Sequence, residues 1–239
     1  MIRRTSTRHR ADPNVAAVGA LIGDPVRAAM LVALLDGREH PASELAFHAG
    51  ASPQAASAHL AKLVAGGLLH ATAAGRQRLF RLASADVSRA LEALAAIAGS
   101  EPILGLSQSV AMTKLREARS CYDHLAGRLG VAITERLVER GAIRAAGDGF
   151  DLTPGGARFF ARLEVDVDRA RTGRRTFARA CTDWTERRAH LAGSLGACVL
   201  DRFLSARWLE RNGHDRALHV TPAGRAEFTR RFGVRFERP

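Results

Sequence analysis

The stretch Ser52-Pro53-Gln54-Ala55-Ala56-Ser57-Ala58-His59-Leu60-Ala61-Lys62-Leu63 decides the fold of the first hundred residues. Serine followed by proline is a typical helix start, because the hydroxyl caps the first turn and proline suits the first helical position. Ala56, Leu60 and Leu63 recur at helical spacing and form an apolar stripe. Gly66-Gly67 ends the run. The sequence therefore predicts a helix with one apolar and one polar face.

Start and stop signals on both sides of this helix predict further elements. They place helices from Asp24-Pro25, from Pro41 and from Ser84 or Asp86, a turn at 48–51, and hairpin strands at 68–72 and 78–82 around a basic tip at 74–77. A short helix, a turn, a longer helix and a basic hairpin together make a winged helix-turn-helix. We assign it to residues 12–100.

The residues of these elements resemble the ArsR family of bacterial repressors. The resemblance is carried by residues 22–27 (IGDPVR), 52–63 (SPQAASAHLAKL), 65–69 (AGGLL) and 75–82 (GRQRLFRL). It implies a DNA-binding transcriptional regulator, a repressor, that dimerises through its first helix and the helix from Asp86. An apolar stripe on that last helix suits such an interface, although it equally suits a core within one chain. The stripe consists of Val87, Leu91 and Leu94.

The predicted DNA contacts lie on the polar face of the central helix and on the hairpin tip. Glutamine can pair with adenine, serine and histidine can bond base edges or phosphate, and alanine permits close approach. The basic tip should lie near phosphates or in the minor groove. The alternative is a solvated helix face and a solubilising turn. The predicted DNA-binding residues are Ser52, Gln54, Ala55, Ser57, Ala58, His59, Lys62, Arg76, Gln77 and Arg78.

The composition favours a polyanionic partner, since 36 Lys and Arg face 24 Asp and Glu, giving a formal net charge of +12. Three widely spaced cysteines argue against a disulfide framework. We see neither a secretory signal nor an apolar run that could span a bilayer, so we expect a cytoplasmic protein without a membrane partner. Residues 1–11 hold four arginines and little that is apolar, which predicts a mobile basic arm.

The second half contains an internal repeat. His124-Leu125-Ala126-Gly127 recurs as His190-Leu191-Ala192-Gly193, and Leu152-Thr153-Pro154 recurs as Val220-Thr221-Pro222. Each copy combines a helical run with a hairpin tip and resembles a winged helix in outline. We therefore predict a mainly α protein with small β-hairpin wings. Its parts are the helix-turn-helix domain at 12–100 and two winged-helix-like modules at 101–168 and 169–239.

Metal and enzyme motifs are missing from the positions where they are expected. Metal sensors of the resembled family carry a cysteine pair before the recognition helix, or Asp and His ligands on the last helix. Residues 44–49 contain no cysteine and residues 86–100 no histidine. We therefore expect no metal ligands and no cofactor, and we expect that zinc, nickel and copper do not control DNA binding.

Two other classes of protein compete with the regulator. A methyltransferase with a winged-helix dimerisation domain needs a glycine-rich nucleotide-binding loop, which the sequence after Ser100 lacks, so we predict a non-enzyme. A scaffold that binds only protein would not need the polar helix face and the basic wing.

The C-terminal half is the candidate sensor of a signal. Cys121-Tyr122-Asp123 and Cys181-Thr182-Asp183 share a Cys-x-Asp pattern shortly before the repeated His-Leu-Ala-Gly. The two cysteines are candidates for thiol or redox sensing. The scarce aromatics Tyr122 and Trp184 could instead line a pocket for a small organic effector between the modules. The half could also simply enlarge the dimer.

Overall fold

The computed structural model describes residues 13–98, 106–172, 175–211, 213 and 215–236. The predicted basic arm at 1–11 lies outside this range, as do residues 99–105 between the two halves of the chain.

Residues 13–98 form the predicted winged helix-turn-helix. A three-stranded antiparallel sheet of order β1-β3-β2 closes one side of a helical cluster. The elements are α1 (Val15–Ile22), α2 (Pro25–Ala33), a 3-10 turn (Leu34–Asp36), β1 (His40–Pro41), α3 (Ala42–His48), α4 (Pro53–Ala65), β2 (Leu69–Ala74), β3 (Gln77–Leu82) and α5 (Ala85–Ile97).

The helices begin where the capping signals place them. The Asp24 carboxylate accepts the amide of Arg27 at 3.0 Å, and the Ser52 hydroxyl accepts the amide of Ala55 at 3.3 Å. Helix α1, none of whose residues is fully buried, was not predicted from the sequence. Among the described helices none alone is long and apolar enough to cross a bilayer, and α1 and α2 meet that test only as a pair bent by 87°.

The C-terminal half repeats one order of elements, hairpin, helix, hairpin, helix. The second hairpin of the first copy turns at residues 147–148, and the second copy has a corresponding antiparallel hairpin. The elements are α6 (Leu106–Glu117), β4 (Arg119–Cys121), β5 (His124–Ala126), α7 (Gly127–Glu139), β6 (Ile143–Ala146), β7 (Gly149–Leu152), α8 (Pro154–Arg162), α9 (Val167–Thr172), β8 (Arg179–Thr182), β9 (Ala189–Ala192), α10 (Gly193–Ser205), β10 (Leu209–Arg211), β11 (Leu218–Val220) and α11 (Pro222–Phe232).

Each repeat packs its helix and its hairpins against elements of the other repeat. The second hairpin of the first repeat joins the first hairpin of the other in the sheet β6-β7-β8-β9. Conversely, β4 bridges to Ala217 beside β11. Helix α7 packs on β9, where the Thr134 hydroxyl accepts the amide of Leu191 at 2.9 Å, and α10 packs on β5. One hydrophobic cluster runs through both copies. The segments 101–168 and 169–239 therefore share a core, and their description as winged-helix-like stays a prediction.

Two neighbouring glycines at the start of α8 test this packing. A Cβ on Gly156 would overlap the carbonyl oxygen of Ala142, whereas a Cβ on Gly155 would have only the Thr153 hydroxyl nearby, at 3.6 Å. We expect Gly156→Ala to lower the free energy of unfolding by about 1–3 kcal/mol through overpacking.

The matched control is Gly155→Ala, which should be neutral or stabilise by up to about 1 kcal/mol, because alanine favours the helix. Urea denaturation of the full chain measures both. Equal stabilities for the two variants would contradict the close approach of α8 to Ala142.

Candidate nucleic-acid interface and cysteine–histidine cluster

Helix α4 presents most of the predicted contacts to solvent. Its apolar stripe, Ala56, Leu60 and Leu63, is buried against α2, α3 and the wing strands. The opposite face is exposed over most of its length, and Ala55 is half-buried. Its exposed predicted residues are Ser52, Gln54, Ser57, Ala58 and Lys62.

His59 differs from this description. Its side chain is only 20% exposed, and its Nδ1 lies 3.5 Å from Oδ1 of Asp24, the carboxylate that caps α2. The Ser57 hydroxyl also has a partner, since it donates to the carbonyl of Pro53 at 2.9 Å. Gln54 and Lys62 are thus the exposed long polar side chains of α4, while His59 is turned toward the start of α2 without a hydrogen bond from its Nδ1.

The wing lies beside α4. Strands β2 and β3 pair as far as Ala74 and Gln77, so the turn between them is tight and places Arg76 at its tip. Arg76, Gln77 and Arg78 are all exposed. A groove of about 310 Å³ separates α3 and α4 from the wing. The groove thus has a polar helix on one side and the basic tip of the wing on the other.

The C-terminal half brings the two predicted sensing cysteines together. Cys121 and Cys181 are buried and lie beside His124 and His190, and the candidate ligand atoms of all four residues lie within 4.8 Å of one another. From the sequence both histidines were predicted only to mark the repeat, and their proximity to the cysteines was missed. The available signal was the recurrence of cysteine shortly before histidine in both copies.

A carboxylate from the DNA-binding domain contacts both sulfurs. Oε1 of Glu92, on α5, lies 2.9 Å from Sγ of Cys121, and Oε2 lies 3.1 Å from Sγ of Cys181. Burial raises the pKa of the Glu92 carboxyl. The adjacent Cys181 sulfur, together with burial, raises the pKa of the Cys121 thiol. The cluster is therefore buried and in direct contact with α5.

An ion pair closes the cluster on its other side. Arg119 and Asp183 are both fully buried, and Nη2 of Arg119 donates to Oδ2 of Asp183 at 2.8 Å. The same oxygen accepts the amide of Gly127, the first residue of α7, at 2.7 Å. Although burial opposes ionisation, the charge of Arg119 and the hydrogen bonds from Thr185 and Gly127 lower the pKa of Asp183. Asp183 is thus held as a carboxylate between the two repeats.

The predicted aromatic residues do not meet in one pocket. The ring of Trp184 lies against the Arg119 guanidinium, 4.7 Å from its carbon, whereas Tyr122 packs against the core of the DNA-binding domain. The Tyr122 amide also donates to the carbonyl of Leu35 at 2.5 Å. The cavity beside Tyr122 holds about 20 Å³, far less than an organic ligand needs. Trp184 therefore packs on the ion pair between the repeats, and Tyr122 packs on the DNA-binding domain.

A helix-turn-helix whose second helix turns a polar face outward beside a basic wing defines a winged helix-turn-helix DNA-binding protein. A family described as a helix-turn-helix domain matches residues 22–71. The chain is 41% identical over 224 residues to YdfF, an uncharacterized HTH-type transcriptional regulator of Bacillus subtilis, covering 94% of this chain and 99% of YdfF. The chain belongs to the ArsR family of transcriptional regulators.

Two further similarities cover about a third of the chain. The HTH-type transcriptional regulator CmtR of Mycobacterium tuberculosis is 43% identical over 77 residues, which are 32% of this chain and 64% of CmtR. A homodimeric winged helix-turn-helix domain of a possible ArsR-family regulator from Mycobacterium bovis is 31% identical, with a TM-score of 0.31, covering 34% of this chain and 73% of that one.

The ion pair between the repeats generates a stability prediction. Asp183→Asn removes a charge while keeping the shape of the side chain, and it leaves the Arg119 guanidinium buried without a counter-ion. We expect a loss of about 3–5 kcal/mol in the free energy of unfolding. The control is Asp151→Asn, because the pair of Asp151 with Arg144 is largely exposed and should contribute less than about 1 kcal/mol. Chemical denaturation measures the free energy of unfolding of both variants. A loss in Asp183→Asn as small as that in Asp151→Asn would show that the Arg119–Asp183 pair is dispensable.

Proposed function

We propose that the protein represses transcription by binding a pseudo-palindromic operator as a homodimer and leaves it when the C-terminal half receives a signal. One observation carries the DNA-binding part, namely the exposed polar face of α4 beside the exposed arginines of the wing. The net charge of +12 supports a polyanionic partner. Chromosomal DNA as the target entails a cytoplasmic location.

The apolar surface of the DNA-binding domain supports the homodimer. Val15 on α1 is 73% exposed and Ile97 on α5 is 81% exposed. The predicted stripe on α5 divides between two roles, since Leu91 is buried in the domain core and Leu94 is exposed. Side chains of this kind are covered when α1 and α5 of two copies pack together. Such a two-fold dimer would set its two α4 helices about 34 Å apart, one turn of DNA.

The contact of Glu92 with both cysteines supports sensing in the C-terminal half. Glu92 lies on the same helix as Leu94 and Ile97, so a change at the sulfurs reaches the proposed dimer surface through one rigid element. A shift of α5 would alter the spacing of the two recognition helices. In the simpler alternative, the C-terminal half senses no signal and only enlarges the dimer.

A direct experiment separates the regulator from a scaffold and from an enzyme. Genomic DNA fragments that bind the purified full chain are sequenced, and the enriched fragment is then titrated at several salt concentrations without any cofactor. We expect one enriched, pseudo-palindromic site whose affinity falls steeply with salt. Binding that is absent, or equal for all sequences, would contradict the proposal.

Loss of a contact from α4 and loss of contacts from the wing should affect DNA affinity differently. Gln54→Ala should lower affinity for the enriched site by about 1–3 kcal/mol and leave binding to random DNA unchanged, because a base contact is lost. The double variant Arg76→Ala/Arg78→Ala should weaken binding to both and reduce the salt slope, because phosphate contacts are lost. Fluorescence anisotropy at several salt concentrations measures both.

The charge-matched control is Arg136→Ala/Arg230→Ala, which removes two exposed arginines from α7 and α11. It should bind nearly as the unaltered chain does. The wing assignment fails if the wing variant keeps the full affinity and the full salt slope. His59→Ala was expected from the sequence to act like Gln54→Ala, and its contact with Asp24 makes it the less specific probe.

The proposed dimer surface can be tested by a buried charge. Ile97→Glu would place a carboxylate in the α1–α5 interface, and we expect the dimer to dissociate at micromolar concentration with a parallel loss of operator affinity. Val138→Glu, on the exposed face of α7, is the control and should stay dimeric. Sedimentation equilibrium reports the mass of both. A dimeric Ile97→Glu would place the interface elsewhere.

A further inference from the structure

The four residues of the cysteine–histidine cluster are placed by strand register. Cys121 pairs directly across its hairpin with His124, and Cys181 pairs with His190. Opposed residues of an antiparallel pair project from the same face of the sheet, so each hairpin holds one thiol and one imidazole side by side. The hairpins belong to the two repeats and lie against each other through β5 and β9. The cluster thus consists of two related pairs, one from each repeat.

The imidazoles have nitrogen atoms that the fold does not satisfy. His124 is 2% exposed and His190 is fully buried. Their rings stack with centroids 5.0 Å apart, and Nε2 of each ring has no hydrogen-bond partner among the described residues. An unpartnered polar atom in a dry interior is costly. A ligand that accepts an imidazole lone pair would remove that cost at both rings.

The other nitrogen of each ring faces a carboxylate. Nδ1 of His124 lies 3.4 Å from Oδ1 of Asp123, and Nδ1 of His190 lies 3.9 Å from Oδ2 of Asp183. Metal-bound histidines usually donate their second ring nitrogen to a carboxylate, which fixes the tautomer and turns the free nitrogen toward the metal. The repeated Cys-x-Asp pattern therefore supplies in each copy one sulfur and a carboxylate that faces a histidine of the cluster. Asp123 is within hydrogen-bond distance of His124, whereas Nδ1 of His190 has no hydrogen-bond partner among the described residues and faces Asp183 across a wider gap.

We propose that Cys121, His124, Cys181 and His190 bind one divalent transition-metal ion of the zinc type, each histidine through Nε2. Two thiolates and two imidazoles form a tetrahedral set with no position left for substrate, as in structural and sensing sites. Tetrahedral zinc bonds would place the donor atoms about 3.3–3.8 Å apart, so the observed limit of 4.8 Å requires only a small contraction. The thiol protons pass to solvent, and two thiolates balance the charge of the ion.

This inference departs from the expectation that the chain has no metal ligands. That expectation rested on the two places where metal sensors of the family carry them, the helix before the recognition helix and the last helix of the domain. The proposed site lies in neither place. Its ligands come from β4, β5, β8 and β9 of the C-terminal half.

The site is coupled to α5 through Glu92, and this step rests on the proposed function. In the structure the two carboxylate oxygens of Glu92 each contact one of the sulfurs. A metal ion that binds both sulfurs draws them toward itself and changes both contacts at once. Because α5 carries Leu94 and Ile97, metal occupancy should bias the proposed dimer and with it the affinity for the operator.

Metal binding is tested on the reduced, metal-free full chain by titration with Co²⁺ alone. Tetrahedral Co²⁺ with thiolate ligands gives intense visible absorption and a sulfur-to-metal charge-transfer band in the near ultraviolet. We expect one Co²⁺ per chain with this spectrum, and its displacement by Zn²⁺. A weak octahedral spectrum, a Cys121–Cys181 disulfide in place of binding, or no saturation would overturn the proposal.

Variants locate the site. Cys181→Ser should lower Co²⁺ affinity by about 100-fold or more and weaken the charge-transfer band, whereas Cys198→Ser, a buried cysteine of α10 outside the cluster, should bind as the unaltered chain does. Asp123→Asn keeps all four ligands and should lower affinity by about 10–100-fold with a tetrahedral spectrum. Circular dichroism checks that each variant folds. Unchanged affinity in both Cys181→Ser and Asp123→Asn would place the metal elsewhere.

A second arm measures operator affinity with and without Zn²⁺. We expect Zn²⁺ to change it by about 5–150-fold in the unaltered chain and in Cys198→Ser, and not in Cys181→Ser. Equal affinity in both states would overturn the coupling through Glu92, while the Co²⁺ spectrum independently decides the metal site. An absence of operator binding in every state would contradict the proposed function and leave the Co²⁺ result standing.

Discussion

The C-terminal half depends on one buried ion pair between its repeats. The Arg119 guanidinium, held by the carbonyl of Leu115 and the ring of Trp184, has Asp183 as its counter-ion. A buried charge is tolerated only when its partner and hydrogen bonds are in place. Asp183 also accepts the amide of Gly127 at the start of α7. This carboxylate, which follows β8 of the second repeat, therefore holds both β4 and α7 of the first repeat. This cross-connection sets the mutual position of the hairpins that carry the cysteines and histidines.

The DNA-binding domain could be predicted because its signals are local. Asp24 and Ser52 each cap a helix a few residues away, and the wing pairs strands separated by a short turn. Helix α1 escaped prediction because none of its residues is fully buried and only Leu21 and Ile22, at its end, pack against the core, so it shows no apolar stripe along its length. The contact of His59 with Asp24 was also missed, since it joins two helices whose approach depends on tertiary packing.

The C-terminal half could be predicted only as a repeat. Comparison of the two copies indicated a helical run and one hairpin tip in each, but it did not reveal the hairpins β4-β5 and β8-β9, and it gave no sign that each copy packs on strands of the other. The cysteine–histidine cluster could not be predicted for the same reason. Cys121 and His190 are far apart in the chain, and the contact of β5 with β9 across the repeats brings them together. Local periodicity carries no information about such contacts, so the histidines looked like ordinary members of a repeated motif.

The exchange of packing partners between the repeats has a consequence for how the molecule assembles. Neither copy alone would bury its central helix completely, because a strand of the other copy packs on α7 and on α10. Covalent linkage makes this association intramolecular, so its effective concentration is set by the connecting chain and not by the amount of protein. The C-terminal half thus forms independently of how much protein is present. The proposed two-fold association of the DNA-binding domains remains subject to mass action. Within one polypeptide, the packing of the two repeats is therefore independent of protein concentration, whereas the proposed dimer of DNA-binding domains depends on it.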